Sequence, residues 1–161
     1  MIIDVLDGGP APLVVVVDAD GAVVASGFGP VERILAMARP TAEPVPGDAT
    51  AVRAQWEAYL SGDLASLDAV PVRQTGSPVQ VSVWEALRGV PAGHPISYGE
   101  MADVIGRPRA ARAVGGACGA NHVAPFIPCH RVIASAGGLG GYGYGLPVKQ
   151  WLLDHEAHHS R

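Results

Sequence analysis

The chain has 161 residues and a formal net charge of −4, with 48% hydrophobic and 16% charged side chains. That composition excludes intrinsic disorder, and the acidic total excludes a wholesale polyanion binder, which would carry a basic footprint. Two cysteines are too few for a disulfide framework or a thiolate zinc site. No apolar run approaches the roughly 18 residues of a membrane span, and the length allows one domain or two small ones.

The first residues include Asp4 and Asp7 and do not read as a signal peptide, so a reducing cytoplasm is the expected compartment. Leu13–Val17 and residues 22–28 are β-branched runs joined by Asp18-Ala19-Asp20-Gly21, the pattern of a β-hairpin. Val31–Ala38 predicts a short helix, and residues 40–46, with three prolines, a linker or surface loop. Asp48 or Thr50 can cap a helix through Val52, Gln55, Trp56, Tyr59 and Leu60, closed by Gly62. Asp4, Asp7, Asp18 and Asp20 are expected to be solvated turn carboxylates rather than metal ligands. Nothing in residues 1–72 looks catalytic, and the block reads as a structural α/β domain.

Residues 72–77 mark a boundary, after which the periodicity is helical. Val79, Val83, Trp84 and Leu87 share one face of a helix opened by Pro78 and ended by Gly89, with Trp84 facing the core. Ser97 and Glu100 form a capping box for a helix that carries Met101, Val104 and Ile105 inward. A second helix begins near Pro108, with Ala110, Ala113, Val114 and Ala117 at core spacing. Two short helices joined at a glycine fit a helix-turn-helix, and by themselves fit a plain helical hairpin more readily. The second helix offers Arg109 and Arg112 beside Gly115, Gly116 and Gly119, and each glycine costs a helix interior about 1 kcal/mol relative to alanine. Close approach of DNA to the backbone would justify that cost, as would close packing against protein. Residues 97–133 hold Arg107, Arg109, Arg112 and Arg131 against Glu100 and Asp103, a modest local net of +2.

Ile127-Pro128-Cys129-His130-Arg131-Val132-Ile133 places a thiol beside an imidazole and a guanidinium in an apolar run. A thiol attacks only as thiolate, and a free pKa of about 8.5 leaves little of it at neutral pH. An imidazole can take the proton and a guanidinium favours the anion. Adjacency alone leaves a reactive thiol and a buried, inert cysteine equally open. Residues 136–138 read as a turn, and Pro147 opens a last helix with Val148, Trp151, Leu152 and His155 at helical spacing. Glu156 alone would be a solvated helix-end charge. His155, His158 and His159 are expected to be surface residues of a frayed terminus rather than metal ligands.

Pro128-Cys129-His130-Arg131-Val132 resembles the active-site signature of the 6-O-alkylguanine-DNA alkyltransferases. The resemblance continues through Ser97-Tyr98-Gly99-Glu100, Ala110-Ala111-Arg112-Ala113-Val114-Gly115, Gly141-Tyr142 and Lys149 to Glu156, covering roughly residues 76–156. It implies a mixed α/β (α+β) fold. Residues 1–72 would be a small β-sheet domain with helices, ribonuclease H-like in the family. Residues 76–161 would be a winged helix-turn-helix-like domain carrying the cysteine. The implied partner is double-stranded DNA containing alkylated guanine, with no membrane, no metal and no organic cofactor. The implied protein is a monomer in the cytoplasm, associated with the nucleoid during repair.

The resemblance also implies roles. The helix bearing Ala111, Arg112 and Gly115 enters the minor groove, and Arg112 fills the gap left by a flipped guanine. Tyr98 helps turn the flanking phosphate and bonds the leaving base. The carbonyls of Cys129 and Val132 accept from its exocyclic amine, while the loop with Tyr142 and Gly143 closes over it, the Gly143 amide meeting the guanine oxygen. Asn121 bonds the turn before the active-site strand, and Glu156 holds His130, which reaches the thiol through a water. Cys129 then takes the alkyl group irreversibly, once per molecule. Arg131 is expected to be a buried structural ion-pair partner and Cys118 packing. Three positions depart from common family patterns: His122 stands where proline often follows the asparagine, Ala124 where some members have proline, and Gly143 where some have serine. The rival readings are a non-catalytic alkylguanine sensor, whose family relatives replace the cysteine, a helix-turn-helix regulator without chemistry, and a cysteine hydrolase of unrelated fold.

Overall fold

Strand β1 (Ile2–Leu6) pairs antiparallel with β2 (Leu13–Val17), which pairs antiparallel with β3 (Val23–Phe28) in a computed structural model that describes residues 1–160. All five residues of β2 are buried, so its unbroken Leu-Val run suits a central strand covered on both faces. The β2–β3 turn is held by Asp18, whose Oδ1 accepts from the amides of Asp20 at 2.9 Å and Ala22 at 3.0 Å. Arg73 pairs with Asp18 and Asp20, and Arg53 with Asp4, so three of the four carboxylates expected to be merely solvated hold guanidiniums.

Helix α1 (Val31–Ala38) follows, and the expected loop then yields a short strand, β4 (Val45–Pro46), parallel to β1. Proline is tolerated there because an edge strand presents one row of its backbone groups to no neighbour. Helix α2 (Thr50–Leu60) starts after Ala49, and neither Asp48 nor Thr50 caps it. The remote Asp4 does so, its Oδ2 accepting from the Ala49 amide at 3.0 Å and from Arg53 at 2.6 Å. Trp56, buried on this helix, stacks on Tyr59. A 3-10 turn (Leu64–Ala69) packs against α2.

Helix α3 (Pro78–Arg88) opens with a capping box between Ser77 and Gln80. Strand β5 (Ile96–Ser97) leads into α4 (Tyr98–Val104), where the Ser97–Glu100 box is formed in both directions at 3.0 Å. Helix α5 (Ala111–Gly119) packs on α3 and α4, and the buried Trp84 indole donates to the Ala117 carbonyl at 2.9 Å. After a 3-10 turn (Cys129–Arg131), β6 (Val132–Ile133) pairs parallel with β5, and α6 (Leu146–His159) completes the chain. The last helix runs to His159 rather than ending frayed, with the Trp151 ring stacked on His155 and His155 tilted against His159.

Two compact units result. One holds Met1–Gln74 with His122–Phe126, and the other Thr75–Asn121 with the chain from Ile127 onward. The five-residue excursion joins the first unit through β3: the Ser26 amide donates to the His122 carbonyl at 2.7 Å and its hydroxyl to Ala124 at 2.7 Å. No described helix is long and apolar enough to cross a membrane.

Candidate active site

Within the second unit, the 3-10 turn, the segment after α5 and helix α6 meet around Cys129. Pro128 fixes the chain just ahead of it, and the 3-10 turn brings the Cys129 amide to the Ile127 carbonyl at 2.9 Å. Asn121, two residues past α5, is buried and donates from Nδ2 to the same carbonyl at 2.8 Å. Its side chain also bonds the Cys129 thiol. An amide side chain, with donors to spend on a carbonyl and a sulfur at once, suits this corner.

His130 is fully buried, and its Nε2 lies 2.8 Å from Glu156 Oε2 on α6. Arg131 is buried alongside. Its Nε donates to Glu156 Oε1 at 2.9 Å, Nη2 to Oε2 at 3.1 Å, and Nη1 to the Val90 carbonyl at 2.9 Å. The bonds from His130 and Arg131 outweigh burial and hold the Glu156 carboxyl well below the usual range, so it is an anion and accepts only. The hydrogen between it and His130 therefore belongs to Nε2. In a neutral ring that leaves Nδ1 with the lone pair, and Nδ1 is buried with no protein hydrogen-bond partner among the described residues. Burial lowers the His130 pKa, against the pull of Glu156.

Lys149, on α6, is a cation that the sequence reading quoted within a motif without a role. It is buried and donates from Nζ to the Val132 carbonyl at 2.7 Å and the Gly141 carbonyl at 3.1 Å. Burial pushes the Cys129 thiol up, while the Asn121 bond and the Lys149 charge draw it down. The signal that could have found it is positional: residues 149, 152 and 156 share one helical face, and a lysine on the face of a buried leucine requires a partner.

The expected binding residues lie around this centre. Ser97 pairs with Ile133, so Tyr98 starts α4 beside the active-site strand, where Gly140 lies close to its hydroxyl. Tyr98 bonds the Gly141 backbone, and its hydroxyl pKa is raised, chiefly by burial. Tyr142 is half-buried and meets Tyr144 edge-on at 5.3 Å, while Gly143 is exposed beside it. Ala111 and Arg112 are exposed on the first turn of α5 and Gly115 is partly exposed one turn on. Cys118 is half-buried on α5, and burial with the charge of Cys129 pushes its thiol up to about 12, so it stays protonated. His122 and Ala124 fall in the other unit. Among the described residues, no three His, Cys, Asp or Glu side chains form a group that could hold a metal ion.

The family model described as 6-O-methylguanine DNA methyltransferase, DNA binding domain, matches residues 78–158. The chain is 43% identical over 143 residues to the methylated-DNA--protein-cysteine methyltransferase of Mycobacterium tuberculosis, covering 84% of this chain and 86% of that protein. It is 48% identical over 100 residues to the protein of that name from Salmonella typhimurium, covering 62% of this chain but only 58% of the relative. Its structure resembles the crystal structure of Mycobacterium tuberculosis OGT in complex with DNA, at a TM-score of 0.83 and 36% identity, covering 99% of this chain and 94% of that one. The O6-methylguanine-DNA methyltransferase of Pyrococcus kodakaraensis matches at a TM-score of 0.76 and 25% identity, over 96% of this chain and 97% of its own.

Proposed function

The chain belongs to the 6-O-methylguanine DNA methyltransferase family, and from that premise we propose that it repairs DNA by moving an alkyl group from the 6-oxygen of guanine to Cys129. The observation that carries this reading is the single buried cluster of Cys129, His130 and Glu156, braced by Asn121 and Lys149. In the finer fold reading, residues 1–72 are a ribonuclease H-like structural domain. Residues 76–161 are then a winged helix-turn-helix-like domain that binds DNA and carries the chemistry.

The thiol proton passes to His130 Nδ1 through a water, leaving a thiolate between Asn121 and the Lys149 cation. The sulfur lone pair attacks the alkyl carbon in line with the carbon–oxygen bond. That bond breaks with its electrons on the guanine oxygen, and the proton that His130 took from the thiol returns through solvent to the base, so the products are guanine and a thioether on Cys129. The thioether has no base-labile bond, so the transfer happens once per molecule.

The target carbon is unreachable in stacked duplex DNA, so the guanine must be turned out. Arg112, projecting from the first turn of α5 beside Ala111 and Gly115, would occupy the vacated space, with Tyr98 at the flanking phosphate and the leaving base. The Val132 carbonyl already accepts from Lys149, and its second lone pair remains for the guanine amine. Tyr142 and Gly143 would close over the base, the Gly143 amide meeting its oxygen. The protein would act as a cytoplasmic monomer, with no cofactor in the balance above.

Incubation with duplex DNA carrying one 6-O-methylguanine should add one methyl, by intact mass, to the Cys129 peptide, in amounts never exceeding the protein. Cys129→Ser should abolish the gain and keep DNA binding. Damage-selective binding without any mass gain would make the protein a sensor, and binding without damage selectivity a helix-turn-helix regulator.

A further inference from the structure

Arg131 touches neither the thiol nor any position assigned to the base, yet it makes two hydrogen bonds to the carboxylate that His130 also uses. We infer that Arg131 is a positioning residue that cancels the Glu156 charge, so that His130 rests as a neutral base with Nδ1 open to receive the thiol proton.

The protonation of His130 is set by the charge balance of a buried place. Arg131, His130 and Glu156 are all buried. With Arg131 cationic and Glu156 anionic the pair is neutral, and a proton added to His130 would leave a net positive charge away from water. The charge of Lys149 also reaches His130, a second cation that opposes protonation. Remove the Arg131 charge and the balance inverts. Glu156 would then be a buried anion 2.8 Å from the His130 ring, and protonating that ring would neutralise it. An imidazolium carries hydrogen on both nitrogens, and Nδ1 could accept nothing. The familiar order, in which a carboxylate raises the basicity of its histidine, is therefore held in check by a guanidinium on the same carboxylate. The geometry is built for it: Nε and Nη2 take the two oxygens side by side, and Nη1 is spent on the Val90 carbonyl, which fixes the fork.

A lysine at 131 would keep the charge and lose the fork, and a glutamine would lose the charge. The inference deepens the alkyl-transfer reading and takes its purpose from it, but its test needs no DNA. Nitrogen-15 spectra of histidine-labelled protein, recorded from pH 5.5 to 8.5, should show His130 of the unmutated chain as the neutral Nε2–H tautomer throughout. In Arg131→Gln the same ring should titrate within the range, its midpoint raised by about one pH unit or more. The acid limb of the alkyl-transfer rate should move with it, and Arg131→Lys should restore both. An imidazolium or an Nδ1–H tautomer in the unmutated protein at pH 7 would overturn the inference, as would an unchanged midpoint in Arg131→Gln. Should the glutamine variant fail to fold, the unmutated tautomer and the lysine variant decide the matter. A correct tautomer with no alkyl transfer would sink the proposed function and leave this inference standing.

Discussion

Lys149 Nζ donates to the main-chain carbonyl of Val132 at 2.7 Å from a fully buried side chain. A lysine in such a place is retained against its desolvation cost, and its charge lowers the pKa of the nearby Cys129 thiol, which burial alone would raise. Lys149→Met keeps the stem and removes the charge. The thiolate fraction should fall, slowing both alkyl transfer and iodoacetamide labelling of Cys129 by roughly ten- to a hundredfold at pH 7.5. Labelling measured against pH separates this from misfolding, because the whole curve should move to higher pH at an unchanged plateau. A curve that does not move would show that Lys149 holds only the carbonyls.

A methyl group built on Gly116 meets nothing within 4 Å, and the same holds at Gly119. Packing against the second unit's own side chains therefore does not account for these helical glycines, whereas close approach of a nucleic acid backbone would. Gly116→Ala should stabilise the protein to urea by about 0.5–1 kcal/mol through helix propensity. It should at the same time weaken binding to duplex DNA, measured by fluorescence anisotropy. Stabilisation with unchanged affinity would leave the glycine without a DNA role.

The outcome at those glycines shows where sequence was informative. Local patterns were legible: the Ser97–Glu100 box, the hydrophobic face with Trp84, and the adjacency of Cys129 and His130 all lie within one turn or one dipeptide. What escaped was set by remote partners. Asp4 caps a helix that begins 46 residues later, a bond with no local signature. Glu156 alone reads as a solvated helix-end charge, and Arg131, though expected to be a buried ion-pair partner, lies 25 residues away, so only the fold makes them one buried unit. The resemblance includes both Glu156 and Lys149 but gave a role only to Glu156, and a buried lysine breaks the rule by which helix faces are assigned.

Gly140 has a left-handed φ of +72°, and a methyl group on it would stand 2.9 Å from the Tyr98 hydroxyl oxygen and 3.1 Å from Cε2. Gly140→Ala must therefore displace the Tyr98 ring as well as bear the left-handed backbone, which costs about 1 kcal/mol by itself. Gly137 is the control: its φ is +83°, with nothing within 4 Å of the added methyl. Gly137→Ala should lose only the backbone cost and keep its alkyl-transfer rate. Gly140→Ala should lose more stability and at least tenfold in rate, since the residue proposed to bond the leaving base is moved. Equal rates in the two variants would remove Tyr98 from the reaction.

Stability should fall in mild acid, and the sign follows from three groups, His130, His122 and Glu156. Burial lowers the His130 pKa, so below its ordinary value of about 6.5 the unfolded chain binds a proton that the fold refuses. The half-buried His122 is lowered in the same direction, also by burial. The Glu156 carboxyl is depressed too, and its contribution is present above the unfolded value of about 4.3 and lost as pH falls below it. The expected profile is a plateau above pH 7 and a first decline from about pH 6.5, its slope approaching 1.4 kcal/mol per pH unit for each histidine proton refused. A second, steeper loss follows below about pH 4.3. Urea unfolding at pH 7.5, 6.5 and 5.5 measures the first limb, and His130→Gln should remove much of it. A flat profile between pH 7.5 and 5.5 would mean that His130 is protonated in the fold already, and the neutral-base role assigned to it through Arg131 would fail with it.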